Sequence, residues 1–169
     1  EIGRDFRNEG ISYKHNPEFT QLEAYQAYAD YHDMMRLVEE IWSQAAIRVL
    51  GEPVIERAGH RIDLTPPWHR VTMRDAILEA TGIDLEAQRE LPALAAAIAA
   101  RGLEVAPQPT WGKMVDELFA EFVEPNLIEP TFIMDYPVEI SPLAKRKPSA
   151  PHLVERFEFF MGGVECGNA

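Results

Sequence analysis

The spacing of apolar positions changes period several times along the chain, and each change marks an element. Residues 1–9 and 19–28 interleave charged and aromatic side chains in a manner that favours extended structure. Between them, residues 10–18 carry Gly10, Asn16 and Pro17. This order predicts a long-looped antiparallel hairpin. Alternate residues of a strand share a face. Arg7 and Glu9 then point one way, and Phe19, Glu23 and Tyr25 share a face of the return strand, opposite Leu22 and Ala24. From Asp30 to Leu50 the period becomes helical: Met34, Val38, Ile41, Ala45 and Val49 form a stripe that packs on a core. Asp30 suits the N-cap and Gly51 the stop.

The pattern then shortens. PVIERAGHRIDL predicts a second hairpin turning at Ala58-Gly59, and Pro66-Pro67 breaks the chain. Thr72-x-x-Asp75 opens a helix that ends at Gly82. Residues 84–124 read as helical, with Pro92 in a first turn and a Pro-containing linker leading to Thr110. Val115, Leu118, Phe119, Phe122 and Val123 form the apolar stripe of the last helix, stopped by Pro125. TFIM (residues 131–134) predicts a buried strand. The proline-rich segment after it reads as an extended loop whose Lys145-Arg146-Lys147 is read as a solvated patch in preference to a phosphate or nucleic-acid contact. VERFEFFMGGVECGNA predicts a terminal hairpin turning at Gly162-Gly163. The order implies an α+β fold, an antiparallel sheet flanked by helices.

Composition narrows the function classes. The 169 residues suit one domain, and 46% hydrophobic with 26% charged residues is ordinary for a globular chain. A net charge of −12 argues against a general nucleic-acid platform, which needs clustered Lys and Arg, but allows a small cationic pocket. The single cysteine, Cys166, excludes an internal disulfide and a Cys-based zinc site. No apolar run reaches the ~18 residues of a membrane span, and no signal peptide is visible. A cytoplasmic location is expected. Opening on EIGRDFRNE without an initiator Met, the chain is expected to be an internal piece of something longer.

Three constellations exceed background. In the first hairpin Arg7 can fork onto a phosphate or carboxylate. Glu9 can accept from an amino group, His15 can meet a phosphate, and Phe19 offers a flat face to a base. Glu23 and Tyr25 suit an ammonium group. The same residues are also consistent with cross-strand ion pairing on a solvated sheet. In the last hairpin, pairing Met161 with Val164 makes Glu158 and Glu165 diagonal neighbours, at about 7 Å between Cβ atoms. Such a pair can close on a cation such as Mg²⁺, or it is two exposed strand glutamates. Gly167-Asn168 is either a turn or a point where backbone approaches a ligand. His32, His60, His69 and His152 show no metal-ligand spacing, and none of the common phosphate-loop or nucleophile motifs occurs.

FRNEGISYKHNPEFTQLEAYQAYADYHDMM resembles motif 2 of the class II aminoacyl-tRNA synthetases in its lysyl form. FVEPNLIEPTFIMDYPVEISPLAKRK and ERFEFFMGGVECGN resemble later lysyl-specific stretches. The resemblance runs over nearly the whole chain and is weakest over 84–108. It implies a partial catalytic domain with a motif 2 hairpin at 1–28, a helical insertion at about 84–124 and a metal-binding hairpin at 153–168. It implies ATP-dependent activation of L-lysine and transfer to tRNA(Lys). Arg7 would contact the α-phosphate and the lysine carboxylate. Glu9 and Asn16 would lie near the adenine edge, His15 at the β- and γ-phosphates, and Phe19 on the adenine. Glu23, Tyr25 and Asn168 would line the lysine pocket, and Glu158 and Glu165 would hold Mg²⁺. The resemblance also implies a homodimer in the full-length protein, no membrane association, and segments outside this chain: an anticodon domain, motif 1 and motif 3. The piece alone is therefore expected to be inactive in aminoacylation and in ATP–pyrophosphate exchange. A protein lysine ligase of the elongation-factor-P type and a non-catalytic synthetase-like binding protein are the alternatives.

Overall fold

A computed structural model describes residues 1–8, 10–12 and 15–169 of the chain. They form two compact units, Glu1–Asp30 and Tyr31–Ala169. Glu9 lies outside the described residues.

The first unit is a hairpin of β1 (Ile2–Phe6) and β2 (Glu18–Leu22), antiparallel with Asp5 opposite Phe19. The Arg7 N–H donates to the Pro17 carbonyl and the Glu23 N–H to the Glu1 carbonyl, both at 2.9 Å, closing the ladder at each end. Both strands are shorter than the sequence pattern suggests. Residues 24–28 have no partner strand among the described residues, and a strand without a ladder leaves its backbone groups to water. Glu23 and Tyr25 thus lie beyond β2, off the strand face they were expected to share with Phe19.

The second unit holds α1 (Tyr31–Leu50), a small hairpin of β3 (Val54–Arg57) and β4 (His60–Asp63), then β5 (His69–Thr72) and α2 (Met73–Thr81). There follow α3 (Leu91–Ala100), α4 (Trp111–Phe122), β6 (Thr131–Met134), β7 (Arg146–Lys147), β8 (Ala150–Val154), β9 (Phe157–Met161) and β10 (Val164–Asn168). The main sheet runs β10-β9-β6-β5. Its β10–β9 and β9–β6 pairs are antiparallel, as expected, but β5 joins β6 in parallel. The three helices α2, α3 and α4 make the long crossover that a parallel pair requires.

Alternation along the strands sorts side chains onto two cores. Phe132, Phe157, Phe159 and Met161 pack with Trp68 and Met35 of α1 on one face. Ile133 and Phe160 pack with α2, α3 and α4 on the other. Covered on both faces, β6 reads as an uninterrupted apolar run. Capping follows the chemistry expected: the Thr72 hydroxyl accepts from the Asp75 N–H at 3.1 Å. Gly82 closes α2 at φ 72°, a left-handed conformation that glycine adopts without a Cβ penalty.

Helix α1 is turned relative to its apolar stripe. Its buried residues are Met35, Glu39, Ser43 and Ala46, while Ala45 and Val49 are exposed. The cause is Glu39. Its carboxylate accepts the Trp68 N–H at 2.9 Å and the Arg70 guanidinium at 3.1 Å. A paired carboxylate can be carried into a core that hydropathy alone would deny it.

The 84–124 stretch is not continuous helix. Residues 84–90 form turns fixed by Asp84, which accepts the Glu86 N–H and a forked pair from Arg74. The segment after β6 is also more ordered than a loop. Lys147 pairs with Asp135 at 2.5 Å, Lys145 with Glu155 at 3.2 Å, and Arg146 donates to the Pro151 carbonyl at 2.9 Å. Lys145 and Arg146 nevertheless remain exposed, as the solvated-patch reading expects, and only Lys147 is drawn partly out of solvent by Asp135.

Candidate active site

The β9–β10 hairpin turns at Gly162 and Gly163, with φ of 62° and 73°, and places Met161 opposite Val164 and Phe160 opposite Glu165. Two successive positive φ values are what a two-residue hairpin turn needs. Between Glu165 and Gly167 the ladder bulges, so Gly167 faces Phe159 and Asn168 faces Glu158. A bulge inserts one residue and flips the alternation beyond it. It brings Asn168 back to the face that carries Glu158 and Glu165. There the Asn168 amide donates to the Glu165 carboxylate at 3.3 Å.

Glu158 is mostly buried and held at both oxygens. The Tyr136 hydroxyl donates to Oε2 at 2.9 Å, and the Arg156 guanidinium lies 2.7 Å from Oε1. Burial first, and then the neighbouring Glu165 charge, push the Glu158 carboxyl up to about 7. Two carboxylates that repel in this way form a donor set of hard oxygens, which fits a divalent cation such as Mg²⁺. Among the described residues no group of three or more His, Cys, Asp and Glu converges in metal-binding geometry. The pair would supply two protein ligands and leave the rest to other oxygens. A Cβ on Gly167 would lie 2.6 Å from the Phe159 ring. Its smallness serves packing.

In the hairpin unit the Arg7 guanidinium stacks over the Phe19 ring, 5.1 Å from its centroid. Arg7 continues the face of Asp5, whose partner is Phe19, so the two meet diagonally across the ladder. His15 accepts or donates at Nδ1 with the Ser12 hydroxyl at 3.0 Å, and its backbone N–H donates to the same oxygen at 3.1 Å. His15, Asn16, Glu23 and Tyr25 are exposed. The structure thus joins Arg7 with Phe19 in one unit, and Glu158, Glu165 and Asn168 in the other.

Residue patterns missed Tyr136 and Arg156. The signal was present in Arg156, which stands two residues before Glu158 and so shares its face. It was weaker for Tyr136, which falls in the proline-rich segment that the pattern reads as an extended loop. A separate cavity of about 210 Å³, lined by Met73, Trp111 and the His152–Glu86 pair among others, holds none of the expected site residues among those described.

A family model described as tRNA synthetases class II (D, K and N) matches residues 1–169. The chain belongs to the class II tRNA synthetases. Within that family it is 56% identical over its full length to the lysine--tRNA ligase of Chloroflexus aurantiacus, covering 34% of that protein. It is 57% identical to the lysine--tRNA ligase of Thermosynechococcus vestitus over 172 aligned residues, again 34% of the relative. The Roseiflexus sp. lysine--tRNA ligase is 54% identical and 35% covered. The chain spans about a third of the length of these curated relatives. The partial α+β synthetase fold expected from the sequence is the fold observed. Among the described residues of this synthetase chain, no helix is long and apolar enough to cross a membrane.

Proposed function

We propose that the chain is part of a lysyl-tRNA synthetase catalytic domain, with a motif 2 hairpin at 1–28, a helical insertion at about 84–124 and a metal-binding hairpin at 153–168. The observation that carries this reading is Arg7 stacked on Phe19. A forked cation and a flat apolar ring held in contact suit a phosphate and a base of one nucleotide. Supporting it, the similar proteins over the whole chain are named lysine--tRNA ligases.

In this reading the lysine carboxylate oxygen attacks the ATP α-phosphorus and pyrophosphate leaves, giving lysyl-adenylate. A ribose hydroxyl at the tRNA(Lys) 3′ end then takes the lysyl group and AMP leaves. Arg7 binds the α-phosphate and the lysine carboxylate and stabilises charge developing on the phosphoryl oxygens. Glu9 and Asn16 meet the adenine edge, Phe19 stacks on it, and His15 contacts the outer phosphates. Glu23 and Tyr25 receive the lysine ammonium, and Asn168 touches the amino acid. Glu158 and Glu165 would hold Mg²⁺, which supplies neutralisation of phosphate charge. The rest of the work is positioning. The full-length protein is read as a cytoplasmic homodimer.

The test is kinetic, in the full-length polypeptide that carries this chain. Arg7→Lys keeps the charge but loses the fork, and should lower lysine-dependent ATP–pyrophosphate exchange by at least ~100-fold, the scale of losing one preorganised transition-state donor. Phe19→Ala should raise the KM for ATP. Exchange that is indifferent to Arg7→Lys would contradict the assignment.

A further inference from the structure

Glu158 is more constrained than a strand carboxylate needs to be. Its Oε2 accepts from Tyr136 at 2.9 Å and its Oε1 meets Arg156 at 2.7 Å. The two partners are themselves locked together. The Arg156 guanidinium lies over the Tyr136 ring, 4.8 Å from the centroid. Its second arm donates to the Ser141 hydroxyl at 2.9 Å, and Ser141 is buried. The Arg156 carbonyl accepts the Asp135 N–H at 3.1 Å, and the Tyr136 carbonyl accepts the Val154 N–H at 2.9 Å. Tyr136 is only 2% exposed, so its hydroxyl has been brought out of water to reach this carboxylate.

We propose that Tyr136 and Arg156 are positioning residues for the carboxylate pair, holding Glu158 by both oxygens so that it meets a divalent cation already oriented beside Glu165. The inference rests on the metal-binding reading of Glu158 and Glu165 given above. Both residues would act through Glu158 and not as ligands themselves. Outer partners that orient metal-binding carboxylates typically account for 10–100-fold in metal affinity.

An opposite role for Arg156 makes an opposite prediction. If its guanidinium merely stood in the cation's place, removing the fork would release Glu158 and tighten metal binding. The experiment uses the full-length polypeptide, a non-hydrolysable ATP analogue and Mn²⁺ as the probe. It reads the Mn²⁺ concentration at half-saturation by electron paramagnetic resonance, and analogue affinity without metal by calorimetry. Tyr136→Phe removes one hydroxyl and no charge. Arg156→Lys keeps the charge but cannot reach Ser141 and Glu158 together. Both should raise the Mn²⁺ half-saturation about 10-fold, while metal-free analogue affinity stays unchanged. A merely structural role would move both readouts together. Unchanged or tighter Mn²⁺ binding in a variant whose circular dichroism is native overturns the proposal. If Tyr136→Phe does not fold, Arg156→Lys decides alone. Glu158→Gln and Glu165→Gln separate the two levels. Loss of Mn²⁺ in both with no effect of Tyr136→Phe removes only the positioning role. Retention of Mn²⁺ in both removes the metal reading and the positioning role with it.

Discussion

Gly167 lies directly opposite Phe159 across the β9–β10 ladder, so close that a Cβ on Gly167 would stand 2.6 Å from the ring. Phe159 cannot step aside, because Trp42, Trp68 and Phe132 surround it with ring centroids 6.0–6.2 Å away. Gly167→Ala should therefore destabilise the fold by about 1–3 kcal/mol, the usual cost of overpacking. Gly3→Ala is the comparison, since the nearest atom to a Cβ there is 4.0 Å away. Urea unfolding of the two variants checks it; equal midpoints would show that the Phe159 ring yields.

The buried Glu39 gives a second stability prediction. Replacing it with Leu leaves the Trp68 N–H and the Arg70 guanidinium without their acceptor. Arg70 retains some access to water, so the loss should be about 2–3 kcal/mol, below that of a fully buried broken pair. Glu39→Gln keeps an oxygen for Trp68 and should cost less than Glu39→Leu. The order of their melting temperatures tests which partner matters.

The Arg74–Asp84 pair should show in the acid limb of stability. Hydrogen bonds from Arg74 hold the Asp84 carboxyl down to about 2, against an ordinary value of 3.8. A depressed carboxylate stabilises the fold above its unfolded value, and that contribution is lost as pH falls through its folded value. Asp84→Asn should lower the melting temperature at pH 6, and the gap should close near pH 2. Because the pair is exposed, raised salt should shrink the gap. A gap that persists below pH 2 would assign the effect to the turn and not to the charge.

How far the sequence discloses the structure depends on what sets each feature. Gly162-Gly163 is legible because turn stereochemistry is local, and it fixes the register that brings Glu158 and Glu165 to one face. The bulge at Cys166 is not legible: it depends on how Phe159 packs beneath Gly167, a contact between strands. The α1 stripe is read in the wrong phase because Glu39 and Ser43 count as polar, although the partner of Glu39 comes from β5, thirty-one residues on. β5 itself is hidden, since HRVT shows its strand character only once β6 lies beside it. For the candidate site, Arg7 with Phe19 and the glutamate pair are visible in spacing and resemblance. Tyr136 is visible only in three dimensions.

The central proposal is that this chain is part of a lysine-activating member of a family that also includes the D and N synthetases. The most direct measurement is ATP–pyrophosphate exchange by the full-length polypeptide, with lysine, aspartate and asparagine offered separately. The account predicts exchange with lysine alone, abolished when Glu23→Gln removes the proposed counter-ion of its ammonium. Exchange supported by aspartate or asparagine, or lysine-dependent exchange indifferent to Glu23→Gln, would contradict it.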